Sequence, residues 1–317
     1  MPESKTEILG VDVKSLGRAG FLLRAGRLVA FPTETVYGLG ADACNDAAVA
    51  SIFAAKARPS FNPLIVHVAT LEMAKDIAVF SEDAKTLAER FWPGPLTLVL
   101  PLREKTGISP LVSAGLPSIA IRIPAHPVAR QLLTLFGGPV AGPSANPSGR
   151  LSPTLADHVL DGLAGKIAAV VDAGPCAVGL ESTIVGFRPG PVLLRPGGVP
   201  VEDLADCLNK PIARPDTTSP TPSAPGQLAS HYAPNAVMRL NASQPHEGEV
   251  MLGFGNTPCD LNLSESGDLI EASANLFHHL RELDSGNIRC IAVSPIPDHG
   301  LGLAINDRLK RAAAPRS

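Results

Sequence analysis

The chain has 317 residues, 45% of them hydrophobic, and a formal net charge of −3. This length and apolar content suit one large globular domain or two ordinary ones. A slightly acidic chain lacks the general positive field that holds nucleic acid non-specifically, and one Trp and two Tyr are too few for platforms that stack single-stranded RNA.

Over the first 210 residues, apolar positions alternate between helical spacing and short buried runs. Helices are predicted over 12–26, 46–55, 127–136, 155–163 and 201–209, and two more begin after Thr70 and Ser81. Strands are predicted over 28–31, 62–68, 96–100, 118–123, 139–141, 167–172, 182–187 and 192–195. The alternation is typical of a mixed α/β domain.

The composition changes at residue 211, where a stretch rich in Pro, Ser, Thr and Ala predicts a linker over 211–235. Within it, the segment SAPGQLASHYAP (223–234) contains Gln227, His231 and Tyr232, which a plain spacer does not need. Strand and helix patterns resume over 236–317 and predict a small α/β domain, close to the lower size limit for independent stability.

The five cysteines are scattered and odd in number, and they form no CxxC or Cys/His cluster. This pattern predicts neither a disulfide framework nor a metal site. The N-terminal sequence MPESKTEILG lacks the basic and apolar regions of a signal peptide, and no apolar run approaches the ~20 residues of a membrane span. We therefore expect a cytoplasmic protein without membrane association.

The first functional candidate is the stretch FPTETVYGLGADA (31–43), which follows a short buried strand. Pro32 cannot donate to a strand partner, so the strand ends there and delivers hydroxyls and a carboxylate onto a glycine-flanked turn. Such a stretch can form the floor of a binding site, although an edge strand that runs into a turn would show the same pattern.

Five cations flank turns or strand ends, and they suggest an anion site built from side chains. They are Lys56, Arg58, Arg122, Arg150 and Arg195. The chain has no GxxxxGK[ST], GxGxxG or GxSxG motif, so neither a Walker loop, a dinucleotide fingerprint nor a nucleophile elbow is predicted. The alternative for each cation is a solvated surface charge.

Arg122 interrupts the apolar run Ile119–Pro124. A buried arginine is costly unless an anion or a carboxylate pairs with it, so Arg122 either binds a ligand or forms a salt bridge with an acid such as Glu34 or Glu181. The loop over 143–154, PSANPSGRLSPT, offers amides and hydroxyls for a phosphate or ribose, but such clusters also occur in ordinary loops. His67 closes an apolar strand, where a lone histidine is usually structural.

Four motifs occur in one order along the chain: FPTETVYGLGADA, KARPSFNPLIVH (56–67), SIAIRIP (118–124) and PSANPSGRLSPT (143–154). In these motifs and over nearly its whole length, the sequence resembles the YrdC-like threonylcarbamoyl-AMP synthases, in the two-domain form with a linker and a C-terminal extension. The resemblance implies a catalytic domain over 1–210 with a twisted mixed sheet around an open cavity. It also implies a linker over 211–235 that acts as an active-site lid, and a small Rossmann-like α/β domain over 236–317.

The resemblance also assigns roles to individual positions. We predict that Lys56 and Arg58 are the catalytic cations, which neutralise charge that develops on the phosphates. The residues that match L-threonine-binding positions are Thr35, His67, Arg122, Gly142 and Ser182. The residues that match ATP-binding positions are Lys56, Arg58, Asn62, Ser118, Ser144, Ser152, Arg195 and Tyr232. The loop reads AGPSAN where the family usually has alanine before PSAN, and we expect glycine to be tolerated there.

The implied reaction joins L-threonine, bicarbonate or CO2, and ATP carrying Mg²⁺, and yields threonylcarbamoyl-AMP and pyrophosphate. The resemblance further implies transfer of the product to a separate tRNA threonylcarbamoyl transferase, and we expect no direct tRNA binding. One alternative is a carbamoyltransferase of the hydrogenase-maturation type, which shares this domain but adds acylphosphatase and zinc-finger segments. The other is an RNA-binding module with a nucleotide in the cavity.

Overall fold

The computed structural model describes residues 5–59, 62–214, 231–284, 286 and 288–315. Ten strands of the first domain form one sheet: β1 (Glu7–Leu9), β2 (Val29–Phe31), β3 (Gly38–Asp42), β4 (Ile65–His67), β5 (Leu96–Pro101), β6 (Ser118–Arg122), β7 (Val140–Ala141), β8 (Ala169–Val171), β9 (Thr183–Gly186) and β10 (Val192–Arg195). Its helices are α1 (Val13–Arg24), α2 (Asp46–Lys56), α3 (Leu71–Ile77), α4 (Glu82–Phe91), α5 (Pro110–Ser113), α6 (Pro127–Phe136), α7 (Ala156–Leu163) and α8 (Val201–Leu208).

The strand order is β1-β8-β2-β3-β7-β4-β6-β5-β9-β10. Strand directions are mixed, since β4 runs parallel to β6 while β5 runs antiparallel to it. This confirms the predicted mixed α/β sheet. Along β6, Ile119 and Ile121 point into the main apolar core, so the alternate positions Ser118, Ala120 and Arg122 share the opposite face. The functional side chains lie on that opposite face.

Local sequence signals place the helix starts as predicted. The Asp12 carboxylate accepts from the amides of Lys14 and Ser15 and caps α1, while the Asn45 side chain caps α2 by accepting from Ala48. Helix α2 ends at Lys56, and the next residue, Ala57, caps it in the left-handed conformation, with φ of 50°. That sharp turn directs the next segment, including Arg58, toward the sheet.

Several strands differ from the predictions in their bounds, and β1 was not predicted. The predicted strand 62–68 is shortened to Ile65–His67, because Pro63 has no amide to donate. The sequence pattern does not predict β3, whose glycines look like part of a turn. Gly40 is needed in that strand for close packing, since a Cβ there would lie 2.9 Å from the Phe31 ring.

The C-terminal part contains a four-stranded parallel sheet in the order β11-β14-β12-β13. The strands are β11 (Val237–Arg239), β12 (Glu249–Gly253), β13 (Leu261–Asn262) and β14 (Cys290–Val293), and the helices are α9 (Leu269–Leu283) and α10 (Leu301–Ala313). The predicted small Rossmann-like α/β fold is therefore confirmed. Among the described helices, none has the length and apolarity to cross a bilayer.

The two parts of the chain share one apolar cluster. Val36, Leu151 and Leu180 of the first part pack in the same cluster as Tyr232 and Phe277. The C-terminal unit therefore lies against the segments that carry the functional motifs.

Candidate active site

A cavity opens on the polar face of the large sheet, at the ends of β4, β6, β9 and β10. Its walls are Thr33, Thr35, Val36, Gly38, Arg58, Ile65, His67, Arg122, Gly142, Pro143, Ser144, Glu181, Ser182, Arg195, His231 and Tyr232. Strands and loops that are distant in sequence thus bring most of the predicted site residues together.

Arg122 anchors the first side of the cavity. It is 3% exposed, and its guanidinium donates to the Gly94 carbonyl (3.1 Å), the Thr35 hydroxyl (3.0 Å) and the Glu34 carboxylate (2.7 Å). Burial acts to raise the pKa of Glu34, but the Arg122 charge and hydrogen bond outweigh it and hold that pKa below its usual value. The salt bridge to Glu34 that the sequence offered as an alternative is present, and it fixes Arg122 at the cavity wall.

His67 and Gly142 lie beside this ion pair. Burial, assisted by the Arg122 charge, lowers the pKa of His67 to about 3, so the imidazole is neutral at pH 7. Its Nδ1 is buried and has no hydrogen-bond partner among the described residues. A Cβ on Gly142 would lie 3.0 Å from that Nδ1, so glycine leaves extra room at this wall.

The second side of the cavity is cationic. Arg58 is buried and donates to the backbone carbonyls of Asn62 (3.3 Å) and Pro63 (2.9 Å). Burial lowers the pKa of its guanidinium to about 10, which still leaves it charged at pH 7. Arg195 donates to the Ser182 carbonyl (2.8 Å) and hydroxyl (3.2 Å). Ser182 matches a threonine-binding position and Arg195 matches an ATP-binding position. The predicted threonine side and the predicted ATP side of the cavity therefore meet at this contact.

Lys56 lies behind the wall and does not line the cavity. It is 1% exposed, and its Nζ donates to the backbone carbonyls of Ser144 and Asn146. Burial, assisted by the Arg58 charge, lowers its pKa well below the usual value for lysine. These hydrogen bonds stabilise the PSAN loop, whose Ser144 is part of the cavity wall.

Asn62 and Ser152 also lie next to the cavity without lining it. Asn62 is fully buried, and neither its Nδ2 nor its Oδ1 has a partner among the described residues. Unsatisfied buried amides are rare, so this side chain is a candidate for ligand contact. Ser152 donates to the carboxylate of Glu181, which does line the cavity.

Ser118 lies at the opposite end of β6 from Arg122, about 13 Å away along the strand. It lines a second, largely apolar pocket together with Val99, Phe187, Val192 and Leu194. Because Ser118 and Arg122 share one face of β6, the second pocket continues along the same face of the sheet.

Arg150 does not join the cavity, contrary to the sequence-based suggestion. Its guanidinium donates to the Asn235 side chain (2.6 Å) at the junction with the C-terminal part. This loop cation is used in a contact between the two parts of the chain.

His231 and Tyr232, at the end of the predicted linker, form part of the cavity wall. The Tyr232 ring is 1% exposed, and the His231 ring packs edge-on against it with a centroid distance of 4.0 Å. Tyr232 has a positive φ of 61°, which bulky residues rarely adopt. The predicted Gln227 lies outside the described residues.

Glu181 and Arg308 are site residues that the sequence reasoning did not assign. Arg308 of α10 reaches the cavity wall, where its Nε donates to the Glu181 carboxylate at 2.7 Å. A signal was present in the sequence, because Arg308 falls on the buried stripe of α10 with Ala304, Ile305 and Ala312. A fully buried arginine on an apolar stripe requires an anionic partner.

Two family models match the chain. One, described as "Telomere recombination", covers residues 22–197, and the other, described as "Threonylcarbamoyl-AMP synthase, C-terminal domain", covers residues 199–314. Threonylcarbamoyl-AMP synthase of Pyrococcus abyssi is 41% identical, over 94% of this chain and 93% of its own. The enzyme of the same name from Bacillus subtilis is 40% identical, over 98% and 96%.

Solved structures agree with these matches. The crystal structure of P. abyssi Sua5 complexed with L-threonine superposes with a TM-score of 0.90 at 38% identity, and covers 97% of this chain and 98% of that one. Full-length HypF in a phosphate- and nucleotide-bound form reaches a TM-score of 0.52 at 20% identity and covers 59% of this chain and 30% of its own, a likeness of fold alone. The chain belongs to the threonylcarbamoyl-AMP synthase family, in its two-domain form.

Proposed function

We infer that the chain condenses L-threonine, bicarbonate or CO2, and ATP to threonylcarbamoyl-AMP and pyrophosphate. The observation that carries this proposal is the contact between Arg195 and Ser182, where a cationic wall meets the pocket of Arg122 and His67. A site for this reaction must hold an amino acid next to the α-phosphate of a nucleotide. The relatives that match over nearly the whole chain bear the name of this activity.

We propose that L-threonine binds at the Arg122 side. The guanidinium is already aligned by Gly94, Thr35 and Glu34, and a guanidinium fork suits a carboxylate. Neutral His67 adds no charge that would repel an ammonium group. The amino acid would then present its nitrogen toward Ser182 and the cationic wall.

We propose that the triphosphate of ATP lies along Arg58 and Arg195, with Lys56 holding the PSAN loop in place. The adenosine would extend along the sheet face toward Ser118, where the apolar walls of the second pocket suit a purine. Mg²⁺ is proposed to arrive with ATP. Glu34 and Glu181, carboxylates of the cavity region, are already paired with arginines and are less suited to hold a resident ion.

The proposed reaction has two steps. The threonine ammonium first loses a proton to solvent. The free amine then forms a bond to the carbon of CO2 and loses a second proton, which gives a carbamate. A carbamate oxygen then bonds to the α-phosphorus, while the bond from that phosphorus to the bridging oxygen breaks and pyrophosphate leaves with the electron pair. No enzyme nucleophile is needed, so catalysis depends on positioning and charge neutralisation.

We further propose that His231 and Tyr232 act as the inner face of a lid, because a mixed anhydride is hydrolysed readily and benefits from exclusion of water. The product would pass to a separate tRNA threonylcarbamoyl transferase in the cytoplasm, without direct binding of tRNA by this chain. Among the contacts of the described residues, none favours the carbamoyltransferase or RNA-binding alternatives.

The test is pyrophosphate release from ATP by the full-length protein, with L-threonine and bicarbonate each present or omitted. We expect release only when both are present, together with threonylcarbamoyl-AMP by mass spectrometry. Release that ignores threonine would overturn the proposed substrate and favour the carbamoyltransferase alternative. A salt-dependent gel shift with tRNA would instead support an RNA-binding module.

A further inference from the structure

Arg308 of the C-terminal unit is built into the wall of a cavity that otherwise belongs to the first domain. It is 1% exposed and is among the largest fully buried side chains of the described residues. Besides its ion pair with Glu181, it donates to the Pro196 carbonyl (3.0 Å) and to Asp307 (2.7 Å). Its guanidinium carbon lies 5.1 Å from the centre of the Tyr232 ring.

The partner of Arg308, Glu181, is a carboxylate on the side of the cavity that is proposed to hold the phosphates of ATP. Glu181 lines the cavity beside Arg195 and accepts the hydroxyl of Ser152, a predicted ATP-binding residue. An uncompensated carboxylate there would repel the phosphates of ATP, because like charges interact strongly where water is excluded. Arg308 supplies the opposite charge from another domain.

The remaining donor of Arg308 is consistent with an anion site. Nη2 is buried and has no hydrogen-bond partner among the residues that the structure describes. A buried charged donor without a partner is costly, and such a group is expected where an anion binds in the working protein.

We propose that Arg308 is a positioning residue for ATP, through which the C-terminal domain neutralises Glu181 and fixes Tyr232 at the nucleotide side of the cavity. This rests on the proposed function, in that it takes ATP as the anionic substrate. The C-terminal domain is then an electrostatic component of the active site, because the first domain alone leaves Glu181 without the Arg308 charge beside the triphosphate position.

The test is the affinity of the full-length protein for ATP, measured by calorimetry on Arg308→Gln, Glu181→Gln and the double variant. We expect Arg308→Gln to weaken ATP binding at least about tenfold, because it leaves a buried carboxylate unpaired. Glu181→Gln removes the carboxylate that Arg308 neutralises, so it should weaken ATP binding less than Arg308→Gln does. The double variant should bind ATP at least about threefold more tightly than Arg308→Gln alone. L-threonine binding should change less than about twofold in all three.

Lys310→Gln is the matched control, since it removes one positive charge from an exposed position of the same helix. If Arg308→Gln fails to fold, the double variant and Arg308→Lys supply the comparison. The double variant removes the charge of Glu181, and Arg308→Lys keeps a cation beside it, so neither contains an unpaired Glu181 carboxylate. The proposal is overturned if Arg308→Gln and Glu181→Gln weaken ATP binding equally, if the double variant is no better than Arg308→Gln, or if wild type does not bind ATP. Wild type that binds ATP without forming the adenylate would refute the proposed function while the same variants still decide the role of Arg308.

Discussion

The guanidinium of Arg122 lies 2.7 Å from the carboxylate of Glu34, and both groups are buried in the cavity wall. Breaking such a pair leaves one uncompensated charge in a region that excludes water, which is strongly destabilising. Arg122 therefore has two functions that are coupled: it neutralises Glu34, and it presents a fixed guanidinium to the cavity.

This coupling predicts the effect of Arg122→Lys. Lysine retains the charge but has a single terminal nitrogen, which cannot contact Gly94, Thr35 and Glu34 together. We expect KM for L-threonine to rise at least about tenfold and KM for ATP to change less than about threefold. Steady-state kinetics with each substrate varied measures the split.

Arg18→Lys provides the control for the same replacement, because Arg18 pairs with Glu7 on the surface at 2.6 Å. That variant should be close to wild type, since exposed pairs contribute little. An unchanged KM for L-threonine in Arg122→Lys would remove Arg122 from the amino-acid site.

Lys56→Ala addresses the catalytic role predicted for Lys56. The lysine nitrogen donates to the carbonyls of Ser144 and Asn146, so its removal should displace the PSAN loop, which forms part of the cavity wall. We expect turnover to fall on the order of 10²–10³ while the protein remains folded by circular dichroism. Lys14→Ala, at an exposed position of α1, is the control. Near-normal turnover by Lys56→Ala would exclude Lys56 from the mechanism.

Gly142→Ala tests the room beside His67. The added Cβ would lie 3.0 Å from His67 Nδ1 and 3.2 Å from Cε1, so the imidazole must move by a few tenths of an ångström. We expect KM for L-threonine to change by less than about tenfold while KM for ATP stays constant, because the contact can relax without backbone strain. Gly149→Ala differs in kind, since Gly149 has a φ of +80°, and it should perturb the loop through backbone strain. A change in KM for ATP alone would place Gly142 outside the threonine site.

Acid stability should report the pairing of Glu181. Burial acts to raise the pKa of this carboxyl, but the charges of Arg308 and Arg195 and its hydrogen bonds lower it to about 2, against a usual value of 4.5. A carboxyl with a lowered pKa in the folded state stabilises the fold above the unfolded value, and this contribution is lost as the pH falls from about 4.5 toward 2.

We therefore expect the unfolding free energy of wild type to exceed that of Glu181→Gln by at least about 1 kcal/mol at pH 7, with a smaller difference at pH 3.5. Urea unfolding at the two pH values measures it. The double variant Glu181→Gln with Arg308→Gln should lose less unfolding free energy at pH 7 than Glu181→Gln alone, because the Arg308 charge is not left without Glu181. A difference that grows on acidification would contradict the assigned direction of the pKa shift.

The sequence was sufficient for the mixed α/β fold because apolar periodicity, helix caps and prolines act locally. Strand β3 was missed because its glycines serve a contact with Phe31, a neighbour that only the paired strands bring close. Arg122 was identifiable as an outlier in an apolar run, and its pairing with Glu34 was one of two stated alternatives. Arg308 was not identified, since its partner Glu181 is 127 residues away and the two meet only when the C-terminal unit packs on the first.

Tyr232→Ala tests the proposed lid without cutting the chain. The ring contacts His231, Arg308 and Phe277, with a centroid distance of 5.6 Å to Phe277, so alanine should leave the cavity open to water. We expect threonylcarbamoyl-AMP to be hydrolysed or released early. The yield of intact adenylate should therefore fall more than the amount of pyrophosphate formed. Rapid-quench measurement of both products checks this.

Tyr232→Phe is the matched control, because it keeps the ring and its packing and should retain the adenylate like wild type. A chain that ends near Pro211 should also make product poorly, but it exposes Val36, Leu151 and Leu180, which pack against the C-terminal unit. A poor result from the truncated chain could therefore reflect this exposed apolar surface. Equal turnover and equal product lifetime for Tyr232→Ala and wild type would refute the lid, whatever the truncated chain does.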